Sequence, residues 1–163
     1  MAGVLLAVGL ASVGCETPGT SGDGGPGGDG ACVVGGVEVG GSGGRFIALP
    51  RVGGELPIVR GSQGGIHVLV GFRPHAMPLT VTATYRLVDE ATGEVLGEPV
   101  VRALGPGLYR VDAEGPARID DLLVLDPDEP RVADFSGREA SLDVLVVTPS
   151  GTCARDARLI TLR

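Results

Sequence analysis

Residues 79–88 read LTVTATYRLV, and the order of those side chains decides the fold class. Leu79, Val81, Ala83, Tyr85 and Leu87 alternate with Thr80, Thr82, Thr84 and Arg86. Successive side chains of a strand point to opposite faces, so a period of two buries the first set and leaves the second in water. The segment is expected to be a strand lying on a core. DEATGE at 89–94 follows as a turn, and VLGEPVVRAL at 95–104 returns as its hairpin partner.

The same texture extends in both directions. GGIHVLVGFR at 64–73 sets Ile66, Val68, Val70 and Phe72 on one side and His67 on the other. GLYRVDA, ARIDDLLVL, ASLDVLVVTP and ARDARLITLR follow, with SGTC at 150–153 as a hairpin signal between the last two. Shorter runs near 34–39, 45–49 and 56–60 complete eight to ten expected strands, with no helix from Cys32 onward. Breaks at Gly, Pro and Asp recur about every ten residues, a spacing that favours one antiparallel β-sandwich over a barrel.

The 163 residues contain five aromatics and no tryptophan, so Val, Leu, Ile and Ala must build the core. The net charge is −7 and all thirteen basic residues are arginine. A negative chain without clustered cations is a poor partner for nucleic acid. The lack of lysine removes P-loop and Schiff-base chemistry.

The N-terminal part has a different texture. VLLAVGLA at 4–11 has the length of a signal-peptide core and is shorter than the roughly 20 apolar residues of a membrane span. Small residues, ending in Val13 and Gly14, lead into Cys15. This arrangement resembles the signal of bacterial lipoproteins. The resemblance implies removal of 1–14, diacylglyceryl transfer to the Cys15 thiol, acylation of the new N-terminus, and location in the cell envelope, bound to a bacterial membrane. An ordinary secretory signal cut nearby would instead leave Cys15 as a free thiol. Residues 15–31 are nearly all Gly, Pro, Ser, Thr and acids. Such a composition lacks the apolar surface to fold and reads as a tether spanning about 20–25 Å. The folded domain is expected over 32–163.

Three cysteines in an exported chain leave one unpaired, and lipidation of Cys15 leaves Cys32 and Cys153 as an even pair. The domain as a whole resembles the small immunoglobulin-like domains of secreted bacterial proteins. Gly61, Gln63, Gly64, Gly65 and His67 in GSQGGIHVLV resemble a strand entry of uncharacterised bacterial lipoproteins, a likeness that implies no activity. In immunoglobulin-like sandwiches the first and last strands often lie side by side, which would bring Cys32 and Cys153 together. Two free buried thiols are the other reading.

Chemistry-bearing patterns are sparse. GGSGG at 40–44 fits the G-x-S-x-G of serine hydrolases, but no helical pattern follows and no Asp lies between Ser42 and His75. It reads as a glycine turn. His75 and Met77, with His67 as a third ligand, form a soft donor set suited to copper. DPDEP at 126–130, with Asp120 and Asp121, could offer oxygens to Ca²⁺, although no calcium-loop motif is present. Few aromatics argue against a carbohydrate platform. The expectation is a non-catalytic binding or structural module without cofactor, held to a membrane by its lipid and engaging an envelope protein. A copper-handling protein is the alternative.

Overall fold

The computed structural model describes residues 32–34, 36–62, 64–126 and 131–163. Cys15, the 1–14 signal and the 15–31 tether lie outside the described residues. The compact unit that contains the domain runs Ala31–Arg163. It is an all-β sandwich.

Twelve strands are assigned among the described residues: β1 (Val33–Val34), β2 (Val37–Gly41), β3 (Ile47–Ala48), β4 (Val52–Leu56), β5 (Ile58–Arg60), β6 (Ile66–Pro74), β7 (Val81–Asp89), β8 (Val100–Leu104), β9 (Arg110–Asp112), β10 (Gly115–Asp126), β11 (Glu139–Val147) and β12 (Cys153–Leu162). The first sheet runs β1-β12-β11-β7-β8, with β4 also on β12. The second runs β3-β2-β6-β10-β9, with β5 also on β6. Both inward faces follow the alternation in the sequence. Val81, Ala83, Tyr85 and Leu87 are buried from the first sheet, and Ile66, Val68, Val70 and Phe72 from the second. Leu142, Val144, Val146, Ile160 and Leu162 complete the first sheet's inner surface.

The hairpins form where turn residues occur. At β7–β8 the Asp89 carboxylate accepts the Ala91 and Thr92 backbone N–H groups at 2.9 Å each, and Gly93 takes φ +73°. Those bonds, led by the one from Thr92, hold the Asp89 carboxyl below its ordinary range. β11 and β12 close across Thr148–Thr152 and pair from Val147↔Cys153 to Glu139↔Thr161.

Three expectations need correction. The strand count exceeds ten because two runs divide. The run near 34–39 splits at Gly36 into β1 and β2, and the one near 56–60 splits at Pro57, which has no N–H to donate. The sandwich is not purely antiparallel either, since β1 and β4 both pair with β12 in parallel. Between β1 and β4 the chain crosses to the second sheet for β2 and β3. A return by crossover, unlike a hairpin, permits parallel pairing. Helix is present as the single turn Val132–Phe135 and the 3₁₀ turn Pro106–Leu108, each too short to leave a periodic signature.

Cys32 and Cys153 form a disulfide, with Cα atoms 4.8 Å apart. The register Val33↔Ala154 sets the two cysteines directly opposite each other. Closing a loop of sequence separation 121 stabilises the folded chain by about 5 kcal/mol on the chain-entropy model.

Candidate functional site

The three residues read as a copper set do not converge. His67 is the second residue of β6 and His75 follows its last. Eight extended residues separate them by about 26 Å, so His67 is not a third ligand. His75 is half exposed, its Nε2 3.7 Å from a Glu38 carboxylate oxygen. Met77 is partly buried against the core, its sulfur beside Gly36. Its soft atom therefore serves packing. Among the described residues no three or more His, Cys, Asp or Glu are grouped to hold a metal ion.

The glycine-rich entry to β6 does shape a surface. Gly61 N–H donates to the Gly65 carbonyl at 2.8 Å and Gly64 N–H to the Gly61 carbonyl at 3.0 Å, with Gly64 at φ +96°. Gln63 lies outside the described residues. A Cβ at Gly61 would stand 3.4 Å from the His67 ring, so the missing side chain leaves room for the imidazole. Outside the second sheet, Val59, His67 and Val124 lie in register across β5, β6 and β10, with Leu69 and Leu122 two residues along. Leu122 and Val124 are 44% and 40% exposed. With Gly61, Ser62, Gly65 and His67 they line an open groove of about 530 Å³. It offers apolar contact area and one imidazole edge.

A polar network that alternation hinted at lies inside the sandwich. The ladder shifts between Arg118↔Phe72 and Asp121↔Val70, three residues on β10 against two on β6. Asp120 occupies this bulge at φ +59°. Residues three apart on a regular strand face opposite ways, and the extra residue turns Arg118 and Asp121 to the same side. Asp121 accepts the Tyr85 hydroxyl at 2.6 Å and Arg118 Nε at 3.0 Å, and is 2% exposed. Arg118 Nη1 donates to the Leu108 carbonyl. Burial and the adjacent Asp121 charge push the Tyr85 phenol well above its ordinary value. Burial raises Tyr109 to about 12, and its hydroxyl has no hydrogen-bond partner among the described residues. Asp121 is thus committed to the interior and cannot serve Ca²⁺ as the sequence had allowed. Asp120 is also engaged, its carboxylate 3.4 Å from the Gly44 N–H. Residues 127–130 of DPDEP lie outside the described residues.

GGSGG is a turn only in its second half, since Gly40 and Gly41 end β2 and the chain bends from Gly43. Ser42 Oγ accepts the Asp120 N–H at 2.9 Å, which ties the β2–β3 turn to the β10 bulge. Gly40 and Gly71 are register partners, and a Cβ on Gly40 would fall within the Phe46 ring's contact distance. The Arg73 guanidinium stacks 4.6 Å above that ring, and pairs with Asp112 at 2.6 Å and with Glu114. Sequence reasoning missed both Arg73 and Phe46, because contact between them depends on a bare glycine floor rather than on either residue's own spacing.

No family model, no curated protein and no solved structure matches this chain.

Proposed function

We propose that this chain is a lipid-anchored protein of the bacterial cell envelope whose immunoglobulin-like sandwich binds or supports a partner without catalysis. The Cys32–Cys153 disulfide carries the reading. Structural disulfides of this kind form and persist outside the reducing cytosol. With two of the three cysteines joined, Cys15 is left over, behind an apolar stretch and small residues. Lipidation accounts for that odd sulfur, and the Gly-rich 15–31 segment then links lipid to domain.

The groups that could carry chemistry support a binding role. Asp121 and Tyr85 are enclosed in the core, Ser42 accepts a backbone N–H, and Arg73 is covered by Phe46 and two acids. Intact-mass measurement of the exported protein tests the anchor. The expected mass begins at Cys15 and includes three acyl chains, and Cys15→Ser moves the protein from the detergent phase to the aqueous phase. A mature form with an unmodified Cys15 thiol overturns the reading. Cross-linking in intact envelopes should recover a reproducible protein neighbour.

A further inference from the structure

The joint between β1 and β12 is short. Its ladder consists of Val33↔Ala154 and Val34↔Arg155, and Val33 is 57% exposed. Gly36 then lies against Ala154, with its carbonyl accepting the His75 N–H at 2.9 Å. Firm attachment begins at Val37, which is 3% exposed and opens the five-pair ladder of β2 with β6. On its other side β12 is held to β11 by nine consecutive register pairs. A two-pair ladder with an exposed valine resists fraying poorly, whereas a nine-pair ladder over a buried face opens only with the domain.

We propose that Cys32–Cys153 is a redox-releasable mechanical fastener. Tension on the chain ahead of Cys32 passes through the sulfurs into β12, and reduction lets β1 peel away from β12 while the rest of the sandwich stays folded. Only the source of that tension rests on the tether reading, since the peeling is a property of the joint. Both cysteines are partly exposed and within reach of a small dithiol. One reductant thiolate attacks a bridge sulfur, breaking the S–S bond and forming a mixed disulfide. The second reductant thiolate displaces the remaining cysteine, so two electrons end on two protein thiols and the reductant becomes the disulfide.

Amide hydrogen exchange of the full chain, before and after reduction with dithiothreitol, tests the fastener. Exchange at Val33, Val34 and His75, whose N–H donates to the Gly36 carbonyl, should speed up about ten-fold or more. Amides of β6, β7 and β11 should keep native-state protection even as the crosslink's contribution to global stability is lost. Unchanged protection at Val33 and Val34 overturns the proposal, because the short ladder would then hold by itself. Complete loss of protection in β6, β7 and β11 also overturns it, because the sandwich would then not stand without the bridge. The double variant Cys32→Ser, Cys153→Ser should show the same local pattern without reductant. Acylation of Cys15 affects none of these readouts, so either proposal can fail while the other stands.

Discussion

On the outer surface of the first sheet, Arg86 of β7 lies opposite Asp143 of β11, Thr84 opposite Leu145, Thr82 opposite Val147 and Val88 opposite Ser141. Arg155 of β12 binds Asp143 through two contacts of 2.7 Å. The outer surface of the second sheet has two parts. Toward β3 and β9 it is sealed by Phe46 on Gly40, Arg73 on Phe46, and Asp112 and Glu114 on Arg73. Toward β5 it leaves Leu122 and Val124 exposed beside His67. One sheet therefore meets water with hydroxyls and ion pairs interleaved among apolar residues such as Leu145 and the exposed Val101, and the other with a covered half and an apolar half. An isolated exposed leucine means little, but Val59 and Val124 flanking His67 across three strands, with Leu69 opposite Leu122, form a patch. The second sheet is where the proposed partner is best sought.

The largest effect should come from the glycine floor. A Cβ at position 71 would overlap the Arg118 carbonyl oxygen, so Gly71→Ala should cost about 2–3 kcal/mol in denaturant unfolding. A cost under about 0.5 kcal/mol would mean that β6 and β10 are not held that closely. Next is Arg73→Ala, which uncovers Phe46 and frees Asp112 and Glu114. Both acids reach solvent, so about 1–2 kcal/mol is expected rather than the full penalty of a broken buried pair. The smallest effects should lie on the surfaces being compared. Arg155→Ala and the double variant Leu122→Thr, Val124→Thr should each shift stability by about 0.5 kcal/mol or less. Only the double variant should weaken cross-linking to the envelope neighbour. Equal weakening by Arg155→Ala would remove the distinction between the faces.

Much of this was legible in the order of residues. The faces of β6 and β7 follow from strict alternation, the β7–β8 and β11–β12 hairpins from their turn residues, and the Cys32–Cys153 pairing from cysteine parity joined to strand order. Asp121 carried a partial signal, since it shares a period of two with Leu123 and Leu125. Its pairing with Arg118 was hidden because a bulge depends on the opposing strand. The crossover that makes β1 and β4 parallel to β12 was equally hidden, because β1 has two residues and β4 carries glycine at two of its five positions, so neither shows a period. The separation of His67 from His75 could have been deduced once β6 was read as one strand. Gly40 read as part of a glycine turn and Gly71 as one more strand position, and their role as a floor appears only when Phe46 and β10 come to rest on them.

The crosslink also sets an order of events. Its second sulfur sits on β12, and β1 through β11 all precede that strand in the chain. During synthesis or export from the N-terminal end, Cys32 must wait until every other strand has emerged before it meets its mate. Ring closure thus comes as a late checkpoint: a copy truncated before Cys153 can never lock its leading edge, and is marked as incomplete by the bare Cys32 thiol.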